Sequence, residues 1–401
     1  LSHHAEGSFA LGQGRFWETC WDVPSSGSKS AGYGVWITHT PFSLPNPNVL
    51  CQNLRMNRLL ILPALLLTLL MGTPAFSADL QKGLTAVQSG DYATALREWT
   101  PLAEQGNASA QFGLGLMYRE GRGVPQDYKT TVKWVRLAAD QGHATAQFSL
   151  GAMYRDGEGV PQDNKTAVKW FRLAAEQGLA DARYSLGLMY EKGTGVPQDY
   201  KTAVKWYRLA AQRGIADAQN NLGQIYLAGQ GVPEEHQKMR LQIAVQWLLL
   251  AANQGHAHAQ ATLGSLYFFG KGVVQDYKTA VKWVRLAAEQ GNADAQGWLG
   301  SMYAFGQGVP QDYKTAVKWY RLAAEQGHAL AQGNMGVMYG QGQGVIQDNV
   351  YAHMWGNLAA SNGNELGGKM RDFVAKEMTP AQIAEAQKLA RECVRKKYKG
   401  C

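Results

Sequence analysis

Charge, cysteine and long apolar runs are all scarce in this chain, and each shortage removes a class of explanation. Asp, Glu, Lys and Arg make up 17 % of 401 residues, and the formal net charge of +8 is modest for that length. Such an excess suits acidic partners but does not indicate nucleic acid. Of four cysteines, Cys20 and Cys51 fall in the first 55 residues, which leaves Cys393 and Cys401 near the other end. No cysteine-rich metal motif can be built from that pair. No apolar stretch reaches the roughly 20 residues that carry a helix across a bilayer, so no membrane span is expected in the mature chain.

One shorter apolar run does carry information. Met56-Asn57-Arg58 is a short positive start, and the thirteen residues from Leu59 to Met71 are mostly apolar. Ala75 and Ser77 then supply small residues at the −3 and −1 positions of a cleavage site. Residues 56–77 therefore read as a secretory signal peptide, cleaved after Ser77 or alternatively after Ala75. No cysteine follows closely enough for a lipid anchor. Residues 1–55 lie upstream of this complete signal and are expected to be absent from the mature protein, which would be periplasmic or secreted. In an oxidising compartment Cys393 and Cys401 are a candidate disulfide, the alternative being two free thiols.

What the chain has in abundance is self-similarity. Trp recurs at 134, 170, 206, 247, 283, 319 and 355, and Tyr at 118, 154, 190, 226, 267, 303 and 339. The step is 36 residues except for one of 41, which marks an insertion around Glu235–Arg240. Seven units follow: 107–142, 143–178, 179–214, 215–255, 256–291, 292–327 and 328–363. In the third, Ala182, Leu186, Met189 and Tyr190 fall on one helical face. Gly193-Thr194-Gly195-Val196-Pro197 breaks that helix, Asp199 is placed to cap the next, and Ala203, Trp206, Tyr207, Ala210 and Ala211 line its face. Each unit is thus two antiparallel helices, and the protein an all-α solenoid.

A glycine sits inside the first helix of every unit, Gly115, Gly151, Gly187, Gly223, Gly264, Gly300 and Gly336. Mid-helix glycine costs about 1 kcal/mol relative to alanine, so its recurrence predicts a close approach that a side chain would obstruct. The flanking segments read as caps, which a solenoid needs to cover its end faces. Residues 79–106 form a shorter helix pair, with Trp99 one place out of register. Residues 364–401 include a helix that starts at Thr379-Pro380 and lines Ile383, Ala386, Ala390, Cys393 and Val394 on one face.

The repeating pattern Ala-x-Ala-Gln-x-x-Leu-Gly-x-x-Tyr-x-x-Gly-x-Gly-Val-Pro-Gln-Asp-x-x-x-Ala-Val-x-Trp-x-x-x-Ala-Ala-x-x-Gly resembles the Sel-one-like repeat, a relative of the tetratricopeptide repeat. The resemblance covers residues 107–363. It implies a right-handed superhelix of helix pairs, and a role as an adaptor for protein complexes, including bacterial envelope assemblies and host-directed factors.

Catalytic readings find little support. The repeated Gly-x-Gly lies between two helices, not after a strand, so it reads as a turn with one glycine in the left-handed conformation and not as a phosphate loop. His143, His256 and His328 share one register position with Asn107, Asn292, Leu179 and Ile215, which marks a helix start rather than a ligand set. Some cysteine-rich relatives in the resembled family are linked to penicillin binding, but Ser-x-x-Lys occurs only at Ser26–Lys29, and Lys201-Thr202-Ala203 is not Lys-Thr-Gly. No enzyme activity, cofactor or metal is expected.

Two surface features bear on binding. Lys133 and Arg136, Lys169 and Arg172, and Lys205 and Arg208 recur in register, and with Lys282, Arg285, Lys318 and Arg321 they stack into a basic stripe. It is either a groove for an acidic partner or a solvated face softened by pairs such as Arg136–Asp140 and Arg172–Glu176. Units four to six break the pattern: Leu227, Leu249, Phe268, Phe269 and Phe305 stand where other units carry charge. They are either a docking patch for a protein partner or are buried beneath the insertion or against a neighbouring loop. The expected function is a non-catalytic scaffold; the alternative is a binder of envelope glycan or a weak hydrolase of wall-derived substrates.

Overall fold

A computed structural model describes residues 74–401. The expectations for residues 1–55 and for the signal peptide as far as residue 73 fall outside the described part. Among the described residues there are eighteen α-helices and no strand. Two form a leading pair, α1 (Pro74–Ser89) and α2 (Tyr92–Glu104). The seven units follow as α3 (Ala108–Glu120) with α4 (Tyr128–Asp140), α5 (Ala144–Asp156) with α6 (Asn164–Glu176), and α7 (Ala180–Lys192) with α8 (Tyr200–Ala211). Then come α9 (Ala216–Ala228) with α10 (Arg240–Asn253), α11 (Ala257–Phe269) with α12 (Tyr277–Glu289), α13 (Ala293–Phe305) with α14 (Tyr313–Ala324), and α15 (Ala329–Gln341) with α16 (Asn349–Ser361). Two trailing helices, α17 (Glu365–Val374) and α18 (Pro380–Arg395), close the array. From α1 to α17 each helix packs against its sequence neighbours, as a solenoid requires.

Local chemistry sets each pair. In the third unit α7 stops at Gly193, whose φ of 67° is left-handed, and whose N–H bonds to the Met189 carbonyl. Gly195 is left-handed as well, at 73°, where a single left-handed glycine was expected in each turn. A Cβ on Gly195 would lie 2.3 Å from the carbonyl oxygen of Asn164 in the preceding unit. The second glycine is therefore needed twice over, for its φ and for contact between repeats. The Gln198 side chain closes the turn by donating to the Glu191 carbonyl at 2.8 Å. Asp199 then caps α8, accepting from the N–H groups of Lys201 and Thr202 and from the Thr202 hydroxyl.

The mid-helix glycines answer to large side chains on the second helix of the same unit. A Cβ on Gly187 would lie 2.7 Å from the Tyr207 ring, and Gly151 and Gly300 meet Phe171 and Tyr320 in the same way. Backbone comes close too: a Cβ on Gly151, Gly223, Gly264 or Gly336 would lie 3.2–3.3 Å from the carbonyl oxygen of Ala167, Ala244, Ala280 or Ala352, and in the last unit, where Gly356 stands in register, the nearest atoms are all backbone.

Repeats are joined by a ladder of glutamines. Buried Gln147 donates to the Ala139 carbonyl of the preceding unit at 3.1 Å and accepts from Gln177 of its own unit at 2.7 Å. The same pair of bonds recurs at Gln219, Gln260, Gln296 and Gln332. Unit three breaks the ladder: Arg183 stands in register, reaching the Ala175 carbonyl through its Nε at 3.0 Å.

Both ends are closed. Trp99 fills the space left by Gly83 and Gly113, and its indole N–H bonds to the Leu80 carbonyl at 3.2 Å. At the other end α17 packs on α15 and α16, and α18 packs on α16. Thr379 and Gln382 form a reciprocal capping box that starts α18. Ala386, Ala390 and Cys393 are buried as expected, but Val394 is exposed, because it lies at the edge of that face in the last turn.

Candidate functional site

The apolar departures in units four to six separate into core and surface. Phe268 is 6 % exposed and sits among the rings of Phe269, Tyr277 and Trp298, with centroids 4.9 to 5.4 Å away. It is a core side chain and not part of a docking patch. Its ring packs against Tyr277 of α12 and Trp298 of α13. Leu227 and Leu249 are half-buried, packed on the core of units four and five. The insertion forms a 3-10 turn, Glu234–Met239, whose His236 ring meets the Tyr226 hydroxyl at 3.0 Å. Arg240 beside it bonds to the carbonyls of Tyr226 and Leu227. Only Phe269 and Phe305, 41 % and 46 % exposed, remain of the five as outward-facing residues.

The basic stripe separates too. Each arginine donates to the hydroxyl of the tyrosine eighteen residues on, in the next repeat: Arg172 to Tyr190 at 2.6 Å, Arg208 to Tyr226 at 3.3 Å, Arg285 to Tyr303 at 2.7 Å and Arg321 to Tyr339 at 3.0 Å. Arg136 bonds to Tyr154 likewise. The expected pairs Arg136–Asp140 and Arg172–Glu176 are not among the salt bridges of the described residues; the tyrosine lies nearer the guanidinium than the carboxylate four residues on. These arginines are staples between repeats. The lysines are different. Lys133, Lys169, Lys205, Lys282 and Lys318 are exposed and enter no salt bridge among the described residues, though Lys133 and Lys282 lie 5.5 and 5.6 Å from the ring centroids of Trp134 and Trp283.

Between those lysines runs a row that the sequence reading missed. Leu137, Leu173, Leu209, Leu250, Leu286 and Leu322 occupy one register position on the second helices and are 37–48 % exposed. The signal was present in the recurring Arg-Leu-Ala-Ala. Once Ala203, Tyr207 and Ala210 define the buried face of α8, Leu209 must point away from it. In units two and three the row borders a groove between successive second helices, beside Lys205 and Trp206. That groove, of about 520 Å³, is lined by Arg172, Glu176, Tyr190, Thr202, Lys205, Trp206 and Leu209.

Histidines serve the helix starts. His143, His256 and His328 each accept a backbone N–H through Nδ1 at 3.1–3.2 Å, as Asn107 and Asn292 do with their side-chain oxygens. The Nε2 atoms of His256 and His328 lie 3.2 Å from Asp217 and Asp294 of the preceding unit. Buried Tyr207 donates to Glu191, and burial followed by that bond pushes its phenol pKa well up. Burial raises that of Tyr320. Neither phenol is set up to act as a base. No group of three or more His, Cys, Asp or Glu side chains among the described residues is arranged to hold a metal. No described helix is long and apolar enough to cross a membrane. Cys393 and Cys401 are joined as a disulfide, with their Cα atoms 5.6 Å apart.

Comparison with known proteins matches this architecture. The Sel1 repeat pattern matches seven consecutive segments, 108–143, 144–179, 180–215, 216–256, 257–292, 293–328 and 329–364. A crystal structure of a Sel1 repeat protein from Oxalobacter formigenes is 34 % identical, with 74 % of this chain and 86 % of that one covered and a TM-score of 0.59. A protective antigen present in uropathogenic Escherichia coli strains, c5321, which displays an SLR fold, is 29 % identical over 80 % of this chain and 92 % of that one, with a TM-score of 0.50. Comparison with curated protein sequences gives no match.

Proposed function

Because this chain belongs to the Sel1 repeat family, we propose that it is a non-catalytic scaffold that holds a protein partner in the bacterial envelope or after secretion. One observation carries the reading. The repeats spend their arginines, glutamines and glycines on joining one another, while a row of leucines and lysines faces outward in register along the second helices. A row that repeat-to-repeat packing does not use is a surface for something else.

The compartment rests on the signal at residues 56–77. Intact mass of protein recovered from the envelope should begin at Ala78, or at Phe76 for the alternative cleavage; a recovered species beginning near Leu1 would count against export. In-cell crosslinking followed by capture from envelope extract tests the scaffold reading, which fails if the wild-type chain retains no protein.

The groove lined by Tyr190 and Trp206 favours a second reading, since aromatic side chains beside polar ones suit a sugar ring. Glu176 is the one carboxylate lining it, whereas glycoside hydrolysis generally uses a pair, so the groove suits binding better than cleavage. A rise in melting temperature with soluble wall-derived glycan, lost on Trp206→Ala, would support that reading.

A further inference from the structure

The exposed row ends where the chain covers it with its own helix. In α16 the positions of Lys314, Lys318 and Leu322 are taken by Val350, Met354 and Leu358. Met354 and Leu358 are each 2 % exposed, whereas Lys318 and Leu322 are exposed. Two helices could cover them. α17 lies against the other side of α16: a Cβ on Gly356 would lie 2.7 Å from the Gly367 carbonyl, and one on Gly367 would lie 2.3 Å from the Ala359 Cβ. At 100° per residue Met354 and Leu358 point away from Gly356 and Ala359. They share their core cluster with Ala386, Ala390 and Cys393 of α18. Thus α18 seats a small-residue face on the last position of the row that stays open in the six preceding units.

We propose, building on the scaffold reading, that the open row on units one to six seats an amphipathic helix of a partner protein, with a small-residue face against the leucines and carboxylates along its flanks. The seat of α18 shows the apolar part of the match. The charge part follows from what changes along the row. α18 carries Lys388, Arg391 and Arg395 on exposed positions, and it sits where both lysines of the row have become Val350 and Met354. In units one to three Lys129, Lys133, Lys165, Lys169, Lys201 and Lys205 outnumber Asp140 and Glu176 beside the leucines, so a basic helix placed there meets a net like charge. A second copy's α18 is disfavoured on the open row for the same reason, and an acidic helix is favoured.

The test uses the full chain and two fluorescein-labelled peptides spanning residues 380–395, both carrying Cys393→Ser. One is otherwise unmodified; the other carries Lys388→Glu, Arg391→Glu and Arg395→Glu. Fluorescence anisotropy should show saturable binding of the acidic peptide, at least tenfold tighter than the basic one, and weakening with added salt. Leu173→Asp with Leu209→Asp should weaken it about thirtyfold, with helical circular dichroism unchanged. Equal binding of the two peptides, no saturable binding, or insensitivity to the leucine changes would overturn the proposal. So would a dimer of the free chain that dissociates on the leucine changes, since it would assign the row to a second copy. If the leucine variant still captures the partner that wild type captures in cells, this proposal fails and the scaffold reading stands. If wild type captures none, the scaffold reading itself fails.

Discussion

Gln177 donates its side-chain amide to Gln147 at 2.7 Å across a separation of 30 residues, and Gln147 passes the chain of bonds on to the Ala139 carbonyl of the preceding repeat. Gln147 is buried, and its removal breaks both bonds, although the Ala139 carbonyl keeps the Gly142 N–H and the exposed Gln177 amide can turn to water. Gln147→Leu should therefore cost about 1–3 kcal/mol, read as a lower denaturation midpoint with an unchanged m-value.

The break in the ladder gives the opposite test. Arg183 reaches the Ala175 carbonyl but offers no acceptor to Arg213, the side chain that stands where the donor Gln177 stands one unit earlier. Arg183→Gln should restore both bonds and raise the melting temperature. An unchanged or lower value would mean that the arginine's aliphatic stem is worth more than the completed rung.

Much of this architecture could be read directly from residue spacing. The Trp and Tyr periods placed fourteen helices, Asp199 and its equivalents marked the caps, and the mid-helix glycines signalled tight packing. What spacing could not show was the third dimension of the surface. Arg172 and Glu176 are ideally spaced along one helix, yet Tyr190 from the next repeat lies nearer the guanidinium and takes the bond. Phe268 and Phe269 are adjacent and chemically alike, but one turns inward beneath Trp298 and the other outward. The leucine row was overlooked because leucine in an amphipathic helix is first assumed to be core.

Glycine at position 187 makes a prediction that runs against helix propensity. In an open helix Gly→Ala stabilises by about 1 kcal/mol. Here a Cβ would lie 2.7 Å from the ring of Tyr207, which is fully buried and has little room to move. Gly187→Ala should destabilise by about 1–3 kcal/mol, and pairing it with Tyr207→Leu should recover part of the loss. Additivity of the two changes would exclude the contact.

His353 occupies the register position of Val317 and is buried, with Nδ1 unpartnered among the described residues. Burial, reinforced by the Arg371 charge, lowers its pKa below the ordinary 6.5. Burial lowers those of His143 and His258 as well. The unfolded chain therefore binds protons that the folded chain resists. This contribution to stability is fully present above about pH 6.5 and is lost as pH falls from there toward the depressed folded values. His353→Val should flatten the decline between pH 6.5 and 5 in a denaturation series. An identical slope would remove His353 from the account.

The disulfide closes a short loop, with Cys393 and Cys401 separated by eight residues. Alkylation of the native, unreduced protein should leave both thiols unmodified, and reduction should expose two. Since the loop is small and terminal, its loss should cost about 1–2 kcal/mol, and hydrogen exchange should rise first in the last turn of α18.

Three phenylalanines separate core from surface within the same stretch of chain. Phe268 touches three aromatic rings and is almost fully buried, so Phe268→Ser should cost about 3–5 kcal/mol, the range for truncating a buried ring. Phe269 keeps one face open but stacks on Trp298, with centroids 6.4 Å apart, so Phe269→Ser should cost about 1 kcal/mol. Phe305 is the most exposed of the three, and Phe305→Ser should change stability by no more than about 0.5 kcal/mol. Thermal melts of the single variants rank the three positions directly. If Phe269→Ser and Phe305→Ser weaken partner capture while melting near the wild-type temperature, the binding surface extends from the leucine row onto the turns of units five and six. If capture is unchanged, binding is confined to the second helices.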